Sequence, residues 1–333
     1  MLANTTSPIP PEAFVSTETF IVHTSKSEYL GQSIHNLTGY PVIPIIYKKF
    51  QDGESYYRIN IPERTSLVGR NVVIVSSIVD DMELLEVVRI GGELSELGTK
   101  RRIFVIPYLM YSTMERAVKP GEVVTCKSTV RMLCGIPSSG LGNLFMLMDL
   151  HTSGIIHYFE GTVQAMELYA EPVLEATIAQ NIDFNEPCIF GSADLGRPLW
   201  VETFANKFNV GMAFIRKSRS FEDTHVVGEP IGDVKGKHVI IYDDMTRTAG
   251  TLIKACNAYL DNGAKKVTAV LTHLCLIDEV VIQSVIDSRL DKVIATNTSV
   301  RTQLPKIQNS KKFIICDVSP VFANQIKACL SHI

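Results

Sequence analysis

Short runs of β-branched and aliphatic residues alternate along most of the chain with amphipathic stretches of helical length. The run HVIIY at 238–242 is almost wholly apolar, and the stretch Leu252–Asp261 after it places its apolar residues on one helical face. A continuously apolar strand followed by a helix is typical of a βαβ unit in a parallel sheet. Asn262-Gly263 supplies the left-handed ending of that helix. The pattern therefore predicts an α/β fold.

The alternation predicts two series of strands with helices between them. The first series is Phe20–Thr24, Ile43–Phe50, Asn71–Ile78, Arg102–Tyr108 and Leu144–Leu150. The second series is Cys188–Ala193, Gly211–Arg216, His238–Tyr242, Lys266–Leu274, Lys292–Asn297 and Phe313–Val318. Helix candidates between the strands are Met82–Leu97, Glu122–Cys134, Thr162–Gln180 and Leu252–Asp261, of which the last is the clearest. We expect two tandem, mainly parallel sheets with helices on both faces.

A chain of 333 residues usually divides into about two domains. The polar, glycine-bearing segment Asp149–Gly161 follows a strongly apolar strand, so we expect a boundary near residue 155. The expected divisions are a loose proline-containing arm at 1–18, domains at 19–155 and 156–319, and a C-terminal helix at 320–333 that packs back on the first domain.

Composition excludes several classes of protein. The 32 Lys and Arg residues nearly balance the 35 Asp and Glu residues, for a net charge of −3, which argues against a nucleic-acid binder. No apolar run approaches the ~18 residues of a membrane-spanning helix. The N-terminus lacks the basic start and apolar core of a secretory signal. The seven cysteines form no CxxC pair, which disfavours a zinc site or a disulfide framework. We expect a reduced, cytoplasmic protein that binds neither nucleic acid nor membrane.

The most specific motif is HVIIYDDMTRTAGT at 238–251, where an apolar strand ends in two acids and a turn leads into a helix. Ligands bind at the carboxyl ends of parallel strands, and a helix N-terminus suits a phosphate. We expect Thr248, Thr251 and the Gly250 backbone to surround a phosphate, and Asp243 and Asp244 to accept hydrogen bonds from sugar hydroxyls. The alternative is a capped helix with incidental acids.

This motif resembles the phosphoribosyl diphosphate loop of phosphoribosyltransferases and of ribose-phosphate diphosphokinases, also called phosphoribosyl diphosphate synthetases. Further segments are similar to the diphosphokinase family alone: FQDGES at 50–55, DLHTSGIIHYFE at 149–160, LYAEP at 168–172, SADLGRP at 192–198, RKSR at 216–219, DVKGK at 233–237, TH at 272–273 and ATNTS at 295–299. The resemblance runs from about residue 18 to about residue 328, whereas a transferase has one such domain. The chain is identified as a divergent family member with two phosphoribosyltransferase-like domains, the first binding nucleotide and the second ribose phosphate.

The resemblance implies transfer of the β,γ-diphosphoryl group of ATP to the anomeric hydroxyl of ribose 5-phosphate, with release of AMP. It makes Lys217 and Arg219 the catalytic cations, because phosphoryl transfer depends on positioning and electrostatics. The implied ribose-phosphate-binding residues are Asp243, Asp244, Thr248, Ala249, Gly250 and Thr251. In isolation, RKSR would be a solvated turn.

The resemblance also implies a nucleotide site, Mg²⁺ and an assembly. Phe50 would stack on adenine near Asp52 and Glu54, although the residues alone also fit an edge-of-core aromatic and an ordinary turn. His151 and Asp194 would bind Mg²⁺. Imidazole is not a preferred ligand of this ion, so without the resemblance His151 would be a satisfied strand-end histidine. Asp149, two residues before His151, is expected to lie on the same side of that strand as His151. The family forms homo-oligomers built from dimers.

The chain departs from the common class of the family after the strand Arg102–Tyr108. Thr113 and Met114 stand where an arginine and a glutamine contact ATP, and Arg116 is the nearest candidate to compensate. Arg247 stands where an acid or a small polar residue is usual. The text ERAVKPGEVVT is more similar to the plant-type class, which depends less on inorganic phosphate and accepts a broader range of donors.

Two alternatives remain open. A phosphoribosyltransferase is disfavoured by the two-domain resemblance and by the Lys217-x-Arg219 pair. A non-catalytic, regulatory paralogue would use the fold for assembly alone. Charged residues at the strand ends favour an active enzyme, because a scaffold gains nothing from them. The absent arginine and glutamine favour the paralogue.

Overall fold

The computed structural model describes residues 9–10, 12–138, 140–193, 198–218 and 226–331, with the backbone alone at 216–218 and 226–228. The chain divides into two compact units. The first comprises Met1–Tyr169 together with Ser319–Ile333, and the second comprises Ala170–Val318. Within the described residues, no helix is both long and apolar enough to span a membrane.

The described helices are α1 Ala13–Ser16, α2 Glu28–Thr38, α3 Asp81–Glu96, α4 Thr125–Cys134, α5 Glu171–Asn181, α6 Pro198–Lys207, α7 Gly250–Asp261, α8 Glu279–Asp287, α9 Pro305–Gln308 and α10 Ser319–Leu330. The described strands are β1 Thr19–His23, β2 Ile45–Lys49, β3 Ser55–Ile59, β4 Asn71–Val75, β5 Arg101–Ile106, β6 Asn143–Met148, β7 Val163–Leu168, β8 Cys188–Ser192, β9 Gly211–Ser218, β10 Val226–Ile231, β11 His238–Thr246, β12 Lys266–Leu274, β13 Lys292–Thr296 and β14 Phe313–Cys316. Short 3₁₀ helices are formed by Ser153–Tyr158 and by Val300–Gln303.

The first unit is built on a parallel sheet in the order β1-β4-β5-β6-β7. Every residue of β4 and of β6 is buried, as expected for strands covered on both faces. Helix α3 begins where the Asp80 side chain accepts the Glu83 N–H at 3.0 Å. Helix α10 packs on α2, and Lys327 Nζ donates to Leu37 O at 2.8 Å. Strands β2 and β3 form a separate antiparallel hairpin.

The second unit is built on a sheet in the order β10-β9-β8-β11-β12-β13-β14. All neighbours in this sheet are parallel except β10 and β9. Helix α7 crosses from β11 to β12 and ends before Gly263, whose φ of +92° is the predicted left-handed stop. The α/β prediction, with two mainly parallel sheets in series, is confirmed.

The structure differs from the sequence prediction around β7. The helix expected over Thr162–Gln180 is wrong in its first half, because Val163–Leu168 pairs with β6 as strand β7 and only Glu171–Asn181 is helical. Pairing of β7 with β6 also carries the first unit on to Tyr169, beyond the expected boundary near residue 155. Pairing with a neighbouring strand thus outweighs local pattern.

Candidate active site

The carboxyl end of β11 carries the two acids of the strongest motif. The strand continues to Thr246, four residues beyond the predicted end, because Asp243, Met245 and Thr246 keep their register with β12. Asp244 is 5% exposed, whereas Asp243 is half-buried. The Asp244 N–H donates to Asp243 Oδ1 at 2.9 Å, which fixes the orientation of the Asp243 carboxylate.

Helix α7 begins at Gly250, six residues after Asp244. Ala249 precedes the helix in the left-handed region, at φ +57°, and no side chain caps it. Thr248, Gly250 and Thr251 are exposed around this N-terminus. Uncapped N–H groups and the positive end of the helix dipole favour an anion. The segment therefore brings two carboxylates and an anion-binding helix end within one short stretch of chain.

A cluster of threonines and a histidine supports the neighbouring strand ends. His273 is buried, and its Nδ1 lies 2.9 Å from Thr298 Oγ1. The Thr296 hydroxyl donates to Thr272 O at 2.6 Å, linking the ends of β12 and β13. The motifs TH at 272–273 and ATNTS at 295–299 thus belong to one hydrogen-bonded cluster, which the sequence alone did not predict.

Of the predicted catalytic pair, Lys217 lies near the end of β9. Lys217 is in β9, where its backbone is paired with Val227 of β10, and its side chain lies outside the description. Arg219 lies outside the described residues, as does Asp194, two residues after the end of β8. Both predicted roles therefore rest on the sequence alone.

The tip of the β2–β3 hairpin brings together the three predicted adenine-binding residues. The Phe50 N–H donates to Glu54 O at 2.8 Å, and the Glu54 N–H donates to Asp52 Oδ1 at 3.0 Å. Gly53, at φ +93°, allows the tight turn. Phe50 is 51% exposed, and its ring meets the Tyr56 ring edge-on at 6.3 Å between centroids. A large exposed ring at a hairpin tip offers a stacking surface.

Arg116 lies in the turn-rich segment after β5, on the same unit as this hairpin. Its side chain is 79% exposed, and its Nε is 3.5 Å from Glu115 Oε1. Pro120-Gly121 forms a turn as expected, with Gly121 at φ +83°. Met114 is largely exposed as well, so neither side chain is committed to the core.

The predicted metal-binding segment follows β6, and its geometry differs from the expectation. The strand ends at Met148, and Asp149 adopts a left-handed conformation at φ +40°. Strand alternation therefore does not relate Asp149 to His151, and that prediction is wrong. Asp149 is buried and His151 is half-buried. Among the residues that the structure covers, no three His, Cys, Asp or Glu side chains form a metal-binding group.

Glu167 of β7 and Tyr169 after its end complete this region; Tyr169 belongs to the motif LYAEP, whereas Glu167 was missed from sequence. Glu167 accepts the Leu150 N–H at 2.9 Å, and Tyr169 follows it. Burial raises the pKa of Tyr169, and the charges of Glu167 and Asp149 raise it further. The helix predicted over 162–180 did not place these residues beside the end of β6, whereas the pairing of β7 with β6 does.

A second missed cluster lies at the ends of β1 and β4. Glu83 and Glu86, both buried on α3, face the segment that follows β1. Thr24 Oγ1 donates to Glu83 Oε2 at 2.7 Å, and the Ser25 N–H donates to Glu86 Oε1 at 2.8 Å. Burial raises the pKa of both carboxyls, that of Glu86 to about 7. An i, i+3 acid pair in a helix normally indicates an exposed face, so this buried cluster cannot be identified from sequence alone.

Comparison with known proteins agrees with this arrangement along nearly the whole chain. Residues 19–136 match the family described as the N-terminal domain of ribose phosphate pyrophosphokinase, and residues 170–302 match the phosphoribosyl transferase domain. A ribose-phosphate pyrophosphokinase of Clostridium tetani is 29% identical over 310 residues, which cover 93% of each chain. The ribose-phosphate pyrophosphokinase 3 of Saccharomyces cerevisiae is 32% identical over 281 residues, which cover 84% of each chain.

Among solved structures, the phosphoribosylpyrophosphate synthetase of Mycobacterium smegmatis matches with a TM-score of 0.81 and 24% identity. The match covers 95% of this chain and all of that chain, so the two-unit fold is shared. With both domains in order and a relative above 30% identity over most of its length, the chain belongs to the ribose-phosphate pyrophosphokinase family.

Proposed function

We propose that this protein is an active ribose-phosphate pyrophosphokinase. It transfers the β,γ-diphosphoryl group of ATP to the anomeric hydroxyl of ribose 5-phosphate and releases phosphoribosyl diphosphate and AMP. The observation that carries the proposal is the segment 243–251, where two carboxylates at the end of β11 precede the uncapped N-terminus of α7. This arrangement matches a sugar phosphate, which has hydroxyls at one end and a dianion at the other.

Ribose 5-phosphate binds with its phosphate at the start of α7. The N–H groups of the first turn and the Thr248 and Thr251 hydroxyls donate to phosphate oxygens, while Ala249 and Gly250 form the backbone of the site. Asp243 and Asp244 accept hydrogen bonds from the ribose hydroxyls. A carboxylate can accept about four hydrogen bonds, so the bond from the Asp244 N–H leaves Asp243 able to accept one from the sugar.

ATP binds to the first unit. The exposed Phe50 ring stacks on adenine, and Asp52 and Glu54 at the same hairpin tip accept hydrogen bonds from the polar edge of the base. Arg116, with its exposed guanidinium, contacts the phosphates in place of the arginine that the common class carries nearby.

In the reaction, the anomeric oxygen attacks the β-phosphorus of ATP. The bond between the β-phosphorus and the oxygen bridging to the α-phosphorus breaks, and AMP leaves with that oxygen. The anomeric hydroxyl loses its proton as the new phosphorus–oxygen bond forms. Lys217 and Arg219 neutralise the negative charge that develops on the transferring group. The protein positions the substrates and neutralises charge, and the reaction requires little covalent chemistry from its side chains.

Mg²⁺ is the proposed metal, with His151 and Asp194 each contributing a ligand. Mg²⁺ is usually held by only one or two protein side chains together with waters and substrate phosphates. The lack of a self-contained cluster among the described residues is therefore compatible with this ion. The buried Asp149 carboxylate, close in the chain to His151, adds an oxygen donor of the kind that Mg²⁺ prefers. When bound, the ion would neutralise part of the phosphate charge.

The proposed setting is the cytoplasm, where the protein forms homo-oligomers built from dimers. None of the seven cysteines, all of which are among the described residues, forms a disulfide, which agrees with a reducing compartment. The oligomer is proposed from the family alone, and sedimentation would measure it.

The test is turnover with ATP, Mg²⁺ and ribose 5-phosphate, with the products separated by anion-exchange chromatography. We expect AMP and phosphoribosyl diphosphate in equal amounts. Lys217→Ala and Arg219→Ala should each lower turnover by orders of magnitude, because a removed transition-state charge typically costs ~3–4 kcal/mol. Asp243→Asn and Asp244→Asn should raise the KM for ribose 5-phosphate.

The matched control is Asp261→Asn at the opposite end of α7, which removes an exposed charge and should leave the kinetics unchanged. Formation of ADP would reject the proposed reaction. A folded protein without turnover would favour the non-catalytic paralogue.

A further inference from the structure

Arg247 lies between the two acids of the candidate site and the helix that follows them. Two hydrogen bonds follow the end of β11: the Cys275 N–H donates to Thr246 O at 2.9 Å, and the Ile277 N–H donates to Arg247 O at 3.1 Å. The Arg247 carbonyl is therefore held by the segment after β12, although Arg247 itself lies outside the strand.

A side-chain contact shows on which face of the strand the Arg247 guanidinium lies. Asp243 and Met245 are two residues apart in β11 and therefore share a face. Arg247 Nη2 lies 3.8 Å from Met245 Sδ, which places the guanidinium on that face. Asp243 and Met245 are half-buried, whereas Arg247 is exposed. The guanidinium thus lies over the strand on the side of the Asp243 carboxylate.

The site therefore has two separate features that attract anions. One is the N-terminus of α7, after the chain has turned at Ala249. The other is the Arg247 guanidinium, on the face that the proposed function assigns to the ribose hydroxyls. Ribose 5-phosphate has one phosphate, and the helix end accounts for it. Phosphoribosyl diphosphate has a second anionic group on C1, next to the carbon that bears the 2-hydroxyl.

We propose that Arg247 binds the diphosphoryl group on C1 and thereby makes the site prefer the diphosphorylated sugar over ribose 5-phosphate. The inference rests on the proposed function, because that function places the sugar hydroxyls at Asp243. A planar guanidinium can donate two parallel hydrogen bonds to a phosphate. The side chain is long enough to reach past Met245 while the Arg247 carbonyl remains bonded to the Ile277 N–H.

The experiment compares binding of two ligands, phosphoribosyl diphosphate and ribose 5-phosphate, each with Mg²⁺, by isothermal titration calorimetry. Arg247→Gln should weaken binding of phosphoribosyl diphosphate roughly 10- to 100-fold, the range for a lost charge-assisted hydrogen bond. Its affinity for ribose 5-phosphate should stay within about twofold. Arg247→Lys keeps the charge but cannot donate two parallel hydrogen bonds. Its affinity for phosphoribosyl diphosphate should therefore lie between those of the wild type and of Arg247→Gln.

The matched control is Arg289→Gln. Arg289 is an exposed arginine of the same unit that pairs with Asp261 at 2.6 Å, at the far end of α7. Its replacement removes the same charge and should leave both affinities unchanged. Circular dichroism of each variant confirms that the fold is intact, and Arg247→Lys provides a second variant if Arg247→Gln does not fold.

Equal weakening for both ligands in Arg247→Gln would overturn the inference, because Arg247 would then contact the 5-phosphate. Unchanged affinity of Arg247→Gln for both ligands would overturn the inference as well. If the wild type nevertheless forms AMP, the proposed function is unaffected. A wild type that forms no AMP, yet binds phosphoribosyl diphosphate through Arg247, would reject the proposed function and support the inference. A wild type that binds no phosphoribosyl diphosphate overturns the inference, and the AMP assay then decides the function.

Discussion

Glu86 is the residue whose titration should be visible at neutral pH. Its carboxyl is 4% exposed, and burial, assisted by the charge of Glu83, raises its pKa from the ordinary 4.5 to about 7. A raised pKa means that the folded state holds the proton more tightly than the unfolded state. The stabilisation is therefore complete below about pH 4.5 and is lost as the pH rises through 7.

We expect the first unit to lose up to about 3 kcal/mol of stability between pH 5 and pH 8, since each unit of pKa difference is worth about 1.4 kcal/mol. The charge of Lys26, which is paired with Asp80, lowers the pKa of Glu86 and so reduces the expected loss of stability. Glu86→Gln should flatten the pH dependence. Hydrogen exchange of α3 amides, corrected for intrinsic rates, measures this locally. Glu93→Gln, on the exposed face of α3, is the control; an unchanged slope in Glu86→Gln would contradict the prediction.

His238 should act in the opposite direction in the second unit. It is 2% exposed at the start of β11, with Nε2 2.9 Å from Thr268 Oγ1. Burial, with a smaller contribution from the charge of Lys266, lowers its pKa from 6.5 to about 4. The unfolded state then binds the proton more tightly, so stability is full above pH 6.5 and falls as the pH drops towards 4.

The expected loss is roughly 3 kcal/mol over that range, and His238→Gln should remove most of it. Trp200 is the only tryptophan and belongs to the second unit, where its ring lies 5.9 Å from that of Tyr242. Its fluorescence during urea unfolding therefore reports this unit. The exposed His157 of the first unit, replaced by Gln, is the control. Equal pH slopes for wild type and His238→Gln would exclude the role.

At the scale of elements, the β2–β3 hairpin should control nucleotide affinity without contributing to stability. Half of the Phe50 ring is exposed, so Phe50→Ala removes little core packing. Stacking on a base is worth about 1–3 kcal/mol, so the KM for ATP should rise roughly 5- to 100-fold. Phe50→Leu keeps apolar volume without the flat ring and should recover only part of the affinity. Steady-state kinetics measures the KM for ATP, and thermal melts measure the stability of each variant. A matching rise in the KM for ribose 5-phosphate would refute a nucleotide-specific role.

Across the whole molecule, the sequence predicted the elements whose pattern is local and missed those that depend on distant partners. The strand Lys266–Leu274 has the predicted bounds, and every residue of it after Lys266 is buried. Strand β7 was predicted as helix, since only pairing with β6 makes it a strand. The segment 243–251 could be identified from sequence because acids, turn and helix are contiguous. The cluster of His273 with Thr296 and Thr298 could not, because it depends on which strands are neighbours.

The choice of nucleotide donor is a property of the whole enzyme, and the resemblance predicts that it differs from that of the common class. Thr113 and Met114 stand where the resemblance implies an arginine and a glutamine, and methionine has no hydrogen-bond donor. A lost charge-assisted bond is worth about 1.5–3 kcal/mol, enough to change donor affinity tenfold or more. Arg116 is exposed two residues after Met114 and supplies a charge without reproducing the pair. Discrimination among purine nucleoside triphosphates should therefore be weak.

The same departure predicts little activation by added inorganic phosphate, as in the plant-type class. A panel of ATP, dATP, GTP and CTP, each with and without phosphate, measures donor choice and activation together. Thr113→Arg combined with Met114→Gln restores the two common residues and should raise the preference for ATP over GTP. Arg131→Gln, on the exposed side of α4, serves as a charge control within the same unit. A strict ATP requirement together with strong phosphate activation in the wild type would assign the chain to the common class, because both properties then survive without the arginine and the glutamine.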